Sequence, residues 1–240
     1  MRNYITYAGQ DLRDFGLYIS GSGTYNAPER QYDEIIVPGR NGVLLGDQKR
    51  MENIELTYPA FMYANFRENM RALRSYLLSL SGYQRLVDTY HPDEYRMAVY
   101  RGGTEAEMLE NLRAGSFDLT FWCKPQRYLL SGEETVTFTA NGTITNPTLF
   151  EAMPLIRAYG VGQFVIGPVT VEILSSAGEY TDFDCETCDA YYGTASRNLA
   201  VKVTGGTTHS FPILEAGTNT TVTLGTGITK LEIVPRWWQV

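Results

Sequence analysis

The chain has 240 residues, enough for two domains with separate cores, and is 43% hydrophobic, 20% charged and 12% aromatic, with 17 Tyr. Its net charge of −7 is uneven: residues 1–130 carry 15 Lys and Arg against 16 acids, and residues 131–240 carry 5 against 11. The acidic second half excludes the basic stripe that drives nucleic-acid binding, and no apolar run approaches the ~18–20 residues that cross a bilayer.

Residues 1–130 hold 13 Arg but only 2 Lys. Arg makes planar, bidentate, weakly hydrated contacts and is enriched where proteins meet, whereas Lys is depleted there; a lineage bias would give the same count. In chain order, residues 4–7 alternate and Phe15, Leu17 and Ile19 repeat at every second position. Two short strands are expected, punctuated at Gly9 and followed by a loop over residues 20–23. Ile35, Ile36 and Val37 precede the turn formers Pro38, Gly39, Arg40, Asn41 and Gly42, and Val43, Leu44 and Leu45 follow. This reads as a hairpin arm over residues 35–46, with Asn41-Gly42 supplying the positive φ angles of a tight turn. Ile54, Leu56 and Tyr58 alternate with Glu55 and Thr57, a strand with one buried and one wet face.

Phe66, Met70, Leu73, Leu77 and Leu80 follow 4-3-4-3 spacing and predict a helix over residues 65–80. Asn65 is placed to cap it, Glu68 to complete a capping box, and Ser81-Gly82 to end it. The stripe suits a helix lying across a sheet, or pairing with a second copy; Arg67, Arg71 and Arg74 lie off it. Leu86-Val87 and residues 95–100 flank a turn at His91, Pro92, Asp93 and Glu94. Residues 105–112 read as a short helical turn, and residues 117–122 as an alternating strand that Cys123-Lys124-Pro125 breaks.

A domain boundary is expected within residues 125–145, giving domains 1–130 and 131–240. Beyond it the sequence is rich in Thr, Gly and Val, with strands expected at 136–139, 155–159, 164–166, 169–174, 199–203, 222–224 and 231–234. Asn141-Gly142, Ala177-Gly178, Gly205-Gly206 and Gly225-Thr226-Gly227 supply turns, and no helix stands out. The expected class is mainly β, the second domain an antiparallel β-sandwich.

Catalytic signals are missing. There is no G-x-S-x-G, phosphate loop or H-E-x-x-H, and neither His91 nor His209 has a partner close in sequence. Residues 1–7 lack a secretory apolar segment, which predicts no export by the usual route and, with three cysteines, a reducing site of synthesis. Cys185-Glu186-Thr187-Cys188 invites a redox or zinc reading, but Asp182, Asp184, Glu186 and Asp189 surround it and would raise a thiol pKa. Cys123, His91 and His209 are scattered singly, so no four-ligand zinc set forms. A strand turn is the plainer reading. The alternate carboxylates Asp182, Asp184 and Glu186 fail as a calcium loop, with Thr187 at the sixth position and Gly193 at the twelfth; as strand residues they would share a solvated face. No cofactor or metal is expected. At the far end Pro235 stops an alternating strand before Arg236, Trp237 and Trp238. Two adjacent Trp on an extended chain cannot face one core, so at least one packs elsewhere, on its own domain or on a neighbour.

Together these strings resemble the distal tail protein family of siphophages, those with long non-contractile tails. In the first half the resemblance rests on residues 37–42, the Arg-faced helix, Pro92-Asp93-Glu94-Tyr95-Arg96, and residues 117–121 leading to Lys124-Pro125-Gln126. In the second it rests on residues 184–187 with Ala190-Tyr191, on Phe211-Pro212-Ile213-Leu214 followed by Gly217-Thr218-Asn219, and on Pro235-Arg236-Trp237-Trp238.

The resemblance implies a structural protein of the virion, a baseplate hub at the phage tail tip, made in the host cytoplasm. Six copies would form a ring, a homo-hexamer; purified chains would be hexamers, or monomers that become hexamers at high concentration. The N-terminal domain, a β-sandwich with one helix and a projecting hairpin, would build the ring, and a galectin-like C-terminal sandwich would point outward. Tail tube protein would lie above, the tail-associated fibre or lysin protein below, receptor-binding proteins outside in some phages, and DNA would pass through the centre. Pro38, Gly39, Arg40, Asn41 and Gly42 become the self-assembly residues, the Arg surplus pairing with acids of neighbouring copies, and Arg236, Trp237 and Trp238 become interface or packing anchors. The spaced His, Asn, Arg, Trp and Glu set by which galectins hold sugar is missing, and 240 residues leave no room for a large inserted carbohydrate module. A carbohydrate-binding adhesion module contacting the host cell wall is the alternative; a line of surface aromatics such as Tyr180, Tyr191 and Tyr192 would favour it.

Overall fold

The computed structural model describes every residue except Met1, Ser22, Thr24, residues 109–112, Ala177 and residues 207–210. Among the described residues the chain is mainly β, with antiparallel sheets and one α-helix. It divides into two compact units, residues 1–127 with Val240, and residues 128–239.

In the first unit the strands are β1 (Ile5–Tyr7), β2 (Gln10–Asp11), β3 (Tyr18–Ile19), β4 (Arg30–Ile36), β5 (Val43–Met51), β6 (Ile54–Met62), β7 (Gln84–Asp88), β8 (Glu94–Val99), β9 (Ala106–Met108) and β10 (Gly115–Leu129). Helix α1 (Phe66–Ser79) lies between β6 and β7. The main sheet runs β2-β1-β7-β8-β10-β6-β3, β9 also pairs with β10, and β4 and β5 form a two-stranded sheet of their own. Ile54, Leu56, Tyr58, Ala60 and Met62 of β6 are buried at every second position. Opposite them in register stand Cys123, Phe121, Leu119 and Phe117 of β10 against Ile54, Leu56, Tyr58 and Ala60.

Tyr7 of β1 and Phe121 of β10 meet at 4.9 Å between ring centroids, although β7 and β8 separate their strands in the sheet. Flat strands at the usual ~4.8 Å spacing would hold them about 14 Å apart. The sheet therefore curls over on itself and encloses its core as a sandwich does. Phe66, Met70, Leu73 and Leu77 of α1 close that core, Phe66 edge-on to Phe117 at 6.4 Å.

Several expectations fail locally. Asn65 does not cap α1 with its side chain: it sits in the left-handed region (φ 48°, ψ 38°), whereas a capping residue needs extended backbone to turn its oxygen onto the helix N–H groups. The Phe66 amide instead donates to the Arg113 carbonyl. The expected helical turn at 105–112 is replaced over Ala106–Met108 by β9, paired with Gly115–Phe117; residues 109–112 lie outside the described residues. Pro125 does not break β10: it lies beyond Cys123, where the ladder with β6 ends, so its missing N–H costs that ladder nothing. Phe15 belongs to a 3-10 turn, Leu12–Phe15, which leaves only Tyr18–Ile19 as strand. Of the loop expected at 20–23, Ser22 lies outside the described residues.

The second unit holds β11 (Val136–Phe138), β12 (Gly142–Thr145), β13 (Leu155–Gly160), β14 (Gly162–Ile166), β15 (Val169–Ile173), β16 (Tyr180–Asp184), β17 (Asp189–Tyr192), β18 (Ala195–Ser196), β19 (Val201–Thr204), β20 (Asn219–Leu224) and β21 (Ile228–Val234). One sheet runs β11-β21-β13-β16-β17-β18 and the other β12-β20-β14-β15-β19. Their inner faces make one core, with Phe164 meeting Phe183 edge-on at 5.5 Å. Leu199, expected in a strand, lies in a 3-10 turn and is fully exposed, β19 beginning at Val201. The Ala177-Gly178 turn lies partly outside the described residues.

Candidate assembly surfaces

The β4–β5 hairpin keeps one register from Ile36–Val43 at its tip to Tyr32–Asp47, and the register shifts before Arg30–Met51 at its base. The Arg40 amide donates to the Val37 carbonyl (3.2 Å), which places Pro38 and Gly39 at the middle of the turn. Pro presets the first angle and Gly39, at φ 80°, takes the second, the pattern of a type II turn. Gly42 also has positive φ (80°) but Asn41 does not, so the expected tight Asn-Gly turn is a six-residue loop built on Pro-Gly.

Strand alternation puts Tyr32, Ile36, Val43 and Leu45 on one face of this hairpin and Ile35 and Leu44 on the other. All six are exposed, Ile36 to 78%, Leu45 to 59% and Ile35 to 54%. Charge gathers nearer the base, where Arg30 pairs with Asp47 and the Gln48 amide donates to Asp33. Arg40 stands exposed at the tip and forms no ion pair among the described residues.

Part of the Arg surplus is committed within the first unit: Arg30 pairs with Asp47 and Arg127 with Glu94, and four more cover aromatic rings. Arg2, Arg13, Arg85 and Arg101 lie over the rings of Tyr63, Tyr4, Tyr95 and Trp122 at 4.7, 3.6, 4.0 and 3.5 Å, so they are spent inside their own unit. Arg67, Arg71 and Arg74 are exposed on α1 without an ion pair among the described residues.

In the second unit Arg236 has φ 59°, a left-handed kink that throws the two Trp onto different surfaces. Trp237 is 6% exposed and joins the core. Trp238 stacks on Phe150 at 4.4 Å and its Nε1–H donates to the Glu151 carbonyl at 2.9 Å. The Arg236 amide donates to Gly132 (2.8 Å), and a Cβ on Gly132 would run into the Trp237 nitrogen, so this approach requires glycine.

The carboxylates of residues 182–184 do not share a wet face. Asp182 is buried and takes Arg157 in a two-pronged pair at 2.7 and 2.9 Å; Asp184 takes Arg236. These cations come from residues 25 and 52 positions away, beyond the reach of local pattern. Burial works to raise the Asp184 pKa, but the hydrogen bonds and charge of Arg236 and the Glu186 and Thr187 amides outweigh it and hold the carboxyl below its usual range. Cys185 and Cys188 sit at the turn between β16 and β17. Burial pushes the Cys185 thiol well up and the Cys123 thiol to about 12, so neither is a poised thiolate.

Tyr159, Tyr180 and Tyr192 form a row at 6.1 and 5.0 Å. Arg157 covers Tyr180 at 4.0 Å and Lys230 covers Tyr159 at 3.9 Å, so these rings already stack against cations of their own sheet. Tyr191 is half-buried. His91 has a close partner after all: its amide (2.9 Å) and Nδ1 (3.2 Å) both meet Asp88 Oδ1, because the tight turn after β7 folds it back. His209 lies outside the described residues.

A solved structure matches throughout. The crystal structure of the SPP1 Dit (gp 19.1) protein, described as a paradigm of the hub adsorption apparatus in Gram-positive infecting phages, aligns with TM-score 0.73 at 14% identity, covering 100% of both chains. The chain shares the fold of a phage distal tail protein. No protein-family model and no curated protein matches the sequence.

Proposed function

We propose that the chain is a structural hub protein of a phage tail tip, six copies of which form a ring. The observation that carries this reading is the β4–β5 hairpin, whose Tyr32, Ile35, Ile36, Val43, Leu44 and Leu45 are bare on both faces. An isolated two-stranded hairpin is marginal in water, and exposed apolar side chains clustered at its tip favour a protein contact. Pro38, Gly39, Arg40, Asn41 and Gly42 would carry the tip onto the next copy; such head-to-tail contacts close into a ring when the rotation permits. The full-length likeness to SPP1 Dit supports the place of that ring, at the end of a virion tail.

In this reading the work is mechanical rather than enzymatic. The ring joins the tail tube to the host-attachment apparatus and leaves a central passage for DNA. Tube protein and the tail-associated fibre or lysin protein are its partners, with receptor-binding proteins on the outer, galectin-like unit in some phages. Arg40 at the hairpin tip and Arg67, Arg71 and Arg74 on α1 are available for acids of neighbouring chains.

Native mass spectrometry across a concentration series tests it. A species at six times the mass of one chain, growing as concentration rises, is expected. A monomer at every concentration, alone and with the tube protein, would remove the ring.

A further inference from the structure

Beside the folded-over sheet of the first unit lies a cavity of about 10 Å³, room for one water-sized species, lined by Tyr58, Asp88, His91, Glu94, Arg96 and Arg127. Arg96 is 7% exposed; its Nη1 is wholly out of solvent and has no hydrogen-bond partner, and it forms no ion pair with any described residue. A buried guanidinium without a counter-ion is costly and calls for one.

The two nearby carboxylates are committed elsewhere. Asp88 accepts from the Tyr58 hydroxyl (2.6 Å) and from the amides of Tyr90 and His91 (2.9 Å each), with the His91 ring at 3.2 Å. Glu94 faces Arg127 at 3.4 Å. The Nε2 of His91 is a second buried nitrogen without a partner. Burial, and then the charge of Arg127, disfavour the charged form of the Arg96 guanidinium and outweigh the opposing pull of Cys123, Tyr58 and Glu94.

We infer that this cavity is an anion site, sized for a single halide-like ion held by the Arg96 guanidinium. The inference is independent of the ring.

Bromide is the probe. Crystals of the full chain grown in sodium bromide should show an anomalous peak within hydrogen-bond distance of Arg96 Nη1. In solution, chloride replacing a bulky organic anion at constant ionic strength should raise the melting temperature by about 4 °C when it stands tenfold above its Kd. Arg96→Met, which removes the unpaired charge while replacing the apolar stem of the side chain, should lose that response. No bromide at Arg96, or equal chloride responses in the two proteins, would overturn the site; the crystal decides alone if the variant does not fold.

Discussion

Arg236 reaches back 52 residues to close a two-pronged ion pair on Asp184, Nη1 to Oδ1 at 2.7 Å and Nη2 to Oδ2 at 3.0 Å. Both side chains are under a quarter exposed, so solvent screens the pair little. It ties the last turn of the chain to the β16–β17 hairpin and fixes the kink that separates Trp237 from Trp238.

Asp184→Asn should therefore cost about 2 kcal/mol at neutral pH, because it leaves part-buried Arg236 with only the more distant Glu186 carboxylate, at 3.8 Å, as counter-ion. The folded-state pKa of Asp184 lies below the unfolded value of roughly 3.9. The stabilisation is thus complete above that unfolded value and disappears as pH falls through the folded one. Urea unfolding of both proteins should show a gap at pH 7 that narrows steadily below about pH 4. A gap independent of pH would mean that packing, not charge, is being measured.

Asn65 offers a test of backbone against side chain. As a side-chain cap, its replacement by Gly would cost a few tenths of a kcal/mol. At φ 48° with no side-chain cap, Gly removes the left-handed penalty instead, so Asn65→Gly should stabilise, by up to about 0.5 kcal/mol. Thermal unfolding gives the sign. A lowered midpoint would show that the side chain does cap in solution.

What the sequence made legible follows from one-sided burial. β6 and α1 each bury every second residue or one helical stripe, so their periods survive in the string of letters. β16 buries Thr181, Asp182 and Phe183 in succession, so no alternation remains to read. Asp182 and Asp184 look wet in one dimension because Arg157 and Arg236 arrive from distant strands. Asn65 carries the right residue for a cap in the wrong backbone region, a distinction letters do not hold. Two adjacent Trp in the letters say only that both cannot face one core; that Arg236 splits them between the core and Phe150 depends on a single positive φ.

The cysteines give a chemical prediction. Cys123 and Cys185 are buried with raised thiol pKa values, and Cys188 is half-exposed at its turn. Iodoacetamide at pH 8 should add one carbamidomethyl group to the native protein, at Cys188, and three after unfolding. Peptide mass spectrometry locates the adducts. Rapid native labelling of Cys185 would reopen a redox role for the pair.

The hairpin supplies the prediction on which assembly turns. Ile36 is 78% exposed and Leu45, close by on the same face, 59%, so neither holds its own chain together. Ile36→Glu should leave the melting temperature of the isolated chain unchanged, since exposed substitutions usually move stability by less than about 0.5 kcal/mol. In an assembled ring the same change buries a charge against apolar side chains, a far larger penalty. Native mass spectrometry should then find the variant monomeric at concentrations where the parent is assembled. Ile35→Glu repeats the test on the opposite face of the hairpin. Loss of assembly from both variants means that both faces are covered; loss from one alone assigns the contact to that face. Normal assembly of both would detach the hairpin from the ring altogether.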